Sequence, residues 1–223
     1  MNSFILQTSL FIGIIPALIL LYIGLKGFEG HFKDKLIFLT FIVGIIIGTI
    51  AVAIEYYTRT IGIIYIILFP ILEQLFKTIV LNLGRFQEKQ ETTIYGFSLG
   101  LGFGSVFIPA SIMGLEELDL TFIAAIIGSF GILLFHAATG VLIGYGVYIK
   151  KLTKYLTISI LLHLVITTVT LLTTLSQTSY LQILLVLYGT FLFWYAIKKV
   201  MPQILDKGQR RKRTQKQIEI KSK

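Results

Sequence analysis

Four ionisable side chains lie inside long apolar stretches of this sequence. Glu73 and Lys77 occur in "FPILEQLFKTIV", His136 follows "GILLF", and His163 stands in "LLHLVIT". Each such group costs about 2.5–3.5 kcal/mol to insert into a bilayer, so each is a candidate for function. A carboxylate with two imidazoles can bind Zn²⁺ and leave an open position for water. Alternatively, the carboxylate can activate water by itself while a histidine holds the developing oxyanion. Either chemistry would cleave an amide bond.

Simpler interpretations exist for the same residues. Lys77 follows Glu73 at the i,i+4 spacing that lets two side chains pair on one helix face, so the two could form a self-neutralising ion pair. His136 and His163 could be hydrogen-bonded core residues that tie helices together. The residue types also suit a proton relay, which requires no water beside a scissile bond. If the site is catalytic, the spacing predicts that Lys77 orients Glu73.

The elements that would position these residues are transmembrane helices. The chain has 223 residues, of which 55% are hydrophobic and 14% charged, and its apolar runs are about 20 residues long, as a bilayer requires. We predict an all-α polytopic membrane protein with a single helical domain over 1–201 and a basic tail over 202–223. The seven predicted spans are 3–25, 36–54, 61–82, 94–114, 121–149, 155–175 and 180–199. The connections are short, so the helices themselves must do any chemistry.

The positions of lysine and arginine predict how the spans are oriented. With the N-terminus outside, the cytoplasmic loops and the C-terminal end carry eighteen positive charges, and Arg59 is the one that falls outside. This asymmetry follows the positive-inside rule and places the C-terminus in the cytoplasm. The rule and attraction to anionic lipid also account for "RRKR" in the tail, so we expect the lipid bilayer as a partner and no nucleic acid. The first span lacks a basic n-region and is predicted to be retained rather than cleaved.

The predicted spans place the candidate residues at nearly the same depth in the bilayer. Glu73, His136 and His163 all fall near the bilayer centre, with Lys77 one turn closer to the cytoplasm. A shared polar site needs such a common depth. Glycines at i, i+4 and i+8 in the fourth span, Gly96, Gly100 and Gly104, indicate close packing against a neighbouring helix. The chain has no cysteine, which excludes disulfides and thiolate chemistry.

Four segments occur in an order that resembles a known family. "EQLFK", "GLGFGSVFI", "HAATGVLIGYG" and "LLHLVIT" resemble the motifs of PrsW-type intramembrane proteases, relatives of the CAAX-prenyl endopeptidase-like membrane proteases. The similarity covers about residues 68–168. It implies a cell-membrane endopeptidase of the metallo- or glutamate type that acts on a peptide or membrane-protein substrate. It also implies a site made of Glu73, Lys77, His136 and His163, with Zn²⁺ as the metal if one is used.

Two positions depart from the family's pattern. The second glutamate of its E-E-x-x-K motif is Gln74 here, and the Glu-Asn pair after its glycine-rich stretch is Phe107-Ile108. The chain is therefore expected to be either a divergent active protease or a lapsed one. A lapsed protease would serve as a scaffold or regulator that binds membrane proteins or lipids. A transporter is a third hypothesis, although no inverted repeat supports it.

Overall fold

The chain folds into helices alone in the computed structural model, which describes residues 3–58, 63–113, 115, 118–176 and 178–205. No strand occurs in these ranges. The helices are α1 (Ser3–Leu25), α2 (Asp34–Thr58), α3 (Ile63–Leu81), α4 (Thr92–Ser105), α5 (Phe107–Ile112), α6 (Leu120–Tyr148), α7 (Leu152–Ser176) and α8 (Gln182–Tyr195). Short helical turns flank α8, a 3₁₀ turn at Ser179–Leu181, a π-helical turn at Ala196–Val200 and a 3₁₀ turn at Met201–Ile204.

Five helical stretches are long and apolar enough to cross a membrane. They are Asp34–Thr58, Thr92–Ile112, Leu120–Tyr148, Leu152–Ser176 and Ser179–Ile204. All have more than the roughly 20 residues that a hydrocarbon core requires. The prediction of an all-α protein compatible with a membrane is therefore confirmed. Arg59 and most of the basic tail, residues 206–223, lie outside the described residues.

The predicted span 94–114 is not one continuous helix. It divides at Val106, which ends α4 and precedes α5. Pro109, three residues further on, causes this break. It has no amide hydrogen to donate to the carbonyl oxygen of Ser105. The backbone hydrogen-bond ladder is broken at that point, and α5 continues as a separate short helix.

Helix α4 forms the centre of the bundle, and each of its residues is buried. It packs mainly on α6 and α2, on opposite faces. A Cβ atom added at Gly96 or Gly100 would meet a backbone carbonyl oxygen of α6, that of Gly140 or His136 respectively. One added at Gly102 would meet the carbonyl oxygen of Phe41 on α2. Glycine is therefore needed for these close approaches, and the contact with α6 includes the residue that carries a candidate imidazole.

Loops that carry charged residues gather at one end of the bundle. This end, called here the basic end, contains the loops that follow α1, α3 and α6, together with the turns that follow α8. Four contacts join these parts: Lys33 N to Tyr95 Oη at 3.1 Å, the rings of Phe86 and Tyr95 at 5.6 Å, Lys150 Nζ to Glu88 Oε1 at 2.9 Å, and Tyr145 Oη to Gln203 Oε1 at 2.6 Å. Helices α2, α4 and α7 therefore run away from this end, and α3 and α6 run towards it.

Candidate functional site

Helices α3, α6 and α7 bring Glu73, His136 and His163 together. Oε2 of Glu73 lies 3.5 Å from Nε2 of His136 and 3.6 Å from Nε2 of His163. The three side chains are almost completely buried, with exposures of 2%, 0% and 4% respectively. The common depth inferred from the sequence is what a shared site would require, and the structure places these residues in one cluster.

The polar neighbours of the two Nδ1 atoms come from α3 as well. Gln74 directly follows Glu73, and its Nε2 lies 3.0 Å from Nδ1 of His163. Lys77 lies one turn further on, and its Nζ is 3.2 Å from Nδ1 of His136. Both side chains are fully buried. One helix therefore supplies the carboxylate and also a hydrogen-bond partner for each imidazole.

Lys77 does not pair with Glu73 as its spacing predicted. Its Nζ donates to Oγ1 of Thr139 at 2.7 Å and lies 5.2 Å from the ring centre of Phe103. Among the described residues it forms no ion pair with Glu73. Helix α6 offers a hydroxyl and an imidazole within reach of the flexible lysine, whereas the carboxylate of Glu73 faces the two Nε2 atoms. Lys77 is therefore placed to orient His136 rather than Glu73.

Several buried polar atoms of this cluster have no hydrogen-bond partner among the described residues. They are Oε2 of Glu73, Nε2 of His136 and Oε1 of Gln74. An unsatisfied buried polar group costs about 1–3 kcal/mol, and more if it is charged. Native proteins contain few such groups, and each is explained by strain, by a catalytic role or by a bound water or ion. The clustering of these atoms marks the place where a small polar molecule or an ion would interact.

A metal ion fits the distances in this cluster. The candidate ligand atoms of Glu73, His136 and His163 all lie within 4.8 Å of one another. Tetrahedral Zn²⁺ holds such ligands at about 2.0–2.2 Å, which places them roughly 3.3–3.5 Å apart. The observed separations of 3.5 and 3.6 Å between Oε2 and the two Nε2 atoms are close to that value.

The neighbours of the two Nδ1 atoms fit a metal ion less well. A histidine that ligates a metal through one nitrogen usually donates a hydrogen bond from the other to a carboxylate, a carbonyl oxygen or water. Here Nδ1 of His136 lies beside Nζ of Lys77, and Nδ1 of His163 lies beside the amide nitrogen of Gln74. The three ligand distances therefore fit a metal ion, but the nitrogen neighbours of Nδ1 do not.

Aromatic rings enclose His136 on the side of α4 and α5. The ring of Phe107 stacks on the imidazole, with centres 4.9 Å apart and planes 25° apart, and the ring of Phe103 is centred 4.8 Å away. Phe107 is only partly buried, so it lies between the imidazole and the outside of the bundle. Gln74 and Phe107, the two positions that depart from the family's pattern, each contact a histidine of the cluster.

Two further residues lie near the cluster. Thr139 fits the sequence-based interpretation of the threonines within the spans as internal hydrogen-bonding residues, since it accepts the hydrogen bond of Lys77. Its place three residues after His136 in "HAAT" puts both on one helix face. Glu55 of α2 lies within electrostatic reach of Glu73. The sequence did not mark Glu55 as an intramembrane residue, because it falls in "AVAIEYYT" just beyond the predicted end of the second span.

No protein-family model matches the chain, and neither a curated protein nor a solved structure matches it.

Proposed function

We propose that this chain is a seven-span integral protein of the cell membrane that hydrolyses peptide bonds in or beside the membrane. Its organisation would resemble that of the PrsW-type proteases, with the N-terminus outside and the basic tail in the cytoplasm. One observation carries the proposal: the buried carboxylate of Glu73 faces the Nε2 atoms of two histidines, and polar atoms of this group have no hydrogen-bond partner among the described residues. The five membrane-length helices support the location.

The donors and acceptors of the cluster suit a reaction in which Glu73 activates water. The carboxylate takes a proton from a water molecule, whose oxygen attacks the carbonyl carbon of the peptide bond. The Nε2–H groups of His136 and His163 donate to the oxygen that becomes negatively charged, which stabilises the transition state most strongly in a buried site. The carbon–nitrogen bond then breaks, and Glu73 returns its proton to the leaving nitrogen. The products are a carboxylic acid and an amine.

A substitution at Glu73 tests the proposal. The purified protein is mixed with a panel of single-span substrates in liposomes, and cleavage is followed by mass spectrometry. We expect Glu73→Gln to lower the rate at least about 100-fold, since general-base catalysis contributes about 10²–10⁴-fold. Glu88→Gln, a matched change in an exposed loop, should leave the rate unchanged, and so should a chelator. Cleavage that persists in Glu73→Gln would refute the assigned role.

A second function, that of a lapsed scaffold or regulator, is favoured by how closed the cluster is. Phe107 covers His136, and no residue of the Glu/His/His group is more than 4% exposed. In a scaffold, the Glu/His/His group would only hold α3, α6 and α7 together, and the helices would bind a membrane protein or lipid. Absence of cleavage by both the wild type and Phe107→Ala, together with a lower melting temperature of Glu73→Gln, would favour it.

A further inference from the structure

We propose that Gln74 and Lys77 hold both histidines of the cluster in the tautomer that carries its proton on Nε2, which makes the cluster a water-binding site and not a metal site. Gln74 is the residue that keeps His163 from ligating a metal. The inference rests on the site of the proposed hydrolysis but not on hydrolysis itself. A chain that cleaves nothing could still have this arrangement of protons.

The tautomer of His163 is set by Gln74. The amide nitrogen of Gln74 is 3.0 Å from Nδ1 of His163, and an amide nitrogen only donates hydrogen bonds. Gln74 is fully buried and His163 nearly so, so bulk water does not compete for this contact. In the proposed arrangement Nδ1 accepts from this amide, and the proton of the neutral ring lies on Nε2, which is directed at Glu73.

The tautomer of His136 is set in the same way by Lys77. Oγ1 of Thr139 lies 3.2 Å from the carbonyl oxygens of Phe135 and His136, to which its hydroxyl donates. Its oxygen therefore accepts from Nζ of Lys77, which fixes the ammonium beside the imidazole. In the proposed arrangement Lys77 is an ammonium, which has three donors and no acceptor, so Nδ1 of His136 accepts and its Nε2 carries the proton.

Two Nε2–H donors beside one carboxylate are complementary to a water molecule. Such a water accepts from both histidines and donates to Oε2 of Glu73, the acceptor that has no partner among the described residues. A metal would instead require bare Nε2 atoms and acceptors at Nδ1. A carboxylate at position 74 would provide one of these acceptors, since it would draw the proton of His163 to Nδ1. It would also add a negative charge, which favours a divalent cation.

Histidine NMR on the full chain in detergent tests the tautomers directly. The chain has three histidines, so ¹⁵N-histidine spectra can be assigned by replacing His31, His136 and His163 one at a time. We expect a bare Nδ1 and a protonated Nε2 for both buried rings. Gln74→Glu should convert His163 to the opposite tautomer and leave His136 unchanged. Gln87→Glu, the same change at an exposed position, should give the wild-type spectrum.

Metal binding supplies an independent measurement. Equilibrium dialysis against Co²⁺ should show binding to Gln74→Glu about 10–100-fold tighter than to the wild type, the usual effect of a partner that orients a ligand histidine. A further His163→Ala substitution should abolish the gain.

Three results would overturn the inference. The first is a protonated Nδ1 on His163 in the wild type, and the second is an unchanged tautomer in Gln74→Glu. The third is Co²⁺ binding by the wild type that is as tight as that of the variant. If Gln74→Glu does not fold, as size-exclusion chromatography would show, the wild-type spectrum and wild-type Co²⁺ binding still decide the question.

Discussion

At the scale of single residues, the imidazole of His136 connects Lys77 and Glu73, the two ionisable side chains that α3 contributes to the cluster. Its Nδ1 lies 3.2 Å from Nζ of Lys77, and its Nε2 lies 3.5 Å from Oε2 of Glu73. Burying ionisable groups is costly unless each has hydrogen-bond partners. The imidazole offers a nitrogen to Lys77 on one side and a nitrogen to Glu73 on the other. His136 therefore links two side chains that form no ion pair with each other among the described residues.

Phe107 covers one face of the His136 imidazole. Replacing Phe107 with alanine removes the ring that stacks on His136, so we expect cleavage of the panel substrates to rise. The partly buried ring should cost about 1–3 kcal/mol of stability on removal, less than the 3–5 kcal/mol of a fully buried phenylalanine. Cleavage assays and thermal unfolding in detergent measure the two effects. Phe191→Ala, at an exposed position of α8, is the control. Lower cleavage at unchanged stability would show that Phe107 does not obstruct the substrate.

The candidate residues could be predicted from the sequence, but their hydrogen-bond partners could not. A glutamate or histidine within an apolar run is conspicuous wherever its helix packs, because its burial is costly in any arrangement. The partner of Lys77 depends on which helix lies opposite, and α6 placed Thr139 and His136 within its reach. The contact of Gln74 with His163 joins positions 89 residues apart, so no local spacing could indicate it.

At the scale of helices, the close packing of α4 against α6 sets the position of His136. Replacing Gly100 with alanine would bring its Cβ against the carbonyl oxygen of His136. A backbone atom cannot move aside as a flexible side chain can, so α6 must shift and carry the imidazole away from Glu73. We expect a loss of roughly 1–3 kcal/mol of stability, typical of overpacking, together with a loss of cleavage. Thermal unfolding and the cleavage assay measure both.

Gly84→Ala is the matched control for this prediction. A Cβ at Gly84, in the loop after α3, would have no heavy atom within 4 Å. It should therefore leave stability and cleavage at wild-type levels. Equal melting temperatures for the two variants would show that the glycines of α4 are not needed for its approach to α6.

The sequence indicated the glycine packing of α4 but not where its helix ends. Gly96, Gly100 and Gly104 are four residues apart, so they lie on one face of any helix that contains them. Pro109 also indicates a break in the helix, but the break lies three residues earlier, at Val106. A proline disturbs the turn before it, and the residue at which the ladder gives way depends on the packing of that turn.

At the scale of the whole molecule, the basic end predicts which side of the membrane each loop faces. Leu118 precedes α6 and Lys150 follows it, so the two exposed positions lie at opposite ends of a 29-residue helix. At 1.5 Å per residue the helix is roughly 43 Å long, more than the thickness of a hydrocarbon core. The basic end should face the cytoplasm, because cytoplasmic loops carry the excess of lysine and arginine.

Single cysteines can test this orientation, since the natural chain has none and gives no background. A membrane-impermeant maleimide should label Leu118→Cys in intact cells and Lys150→Cys only after permeabilisation. Glu88→Cys should behave like Lys150→Cys, because Lys150 forms an ion pair with Glu88 at the basic end. The reverse pattern would invert the orientation. Labelling of positions 118 and 150 from the same side would mean that α6 does not cross the membrane, and the buried cluster would then not lie at the bilayer centre.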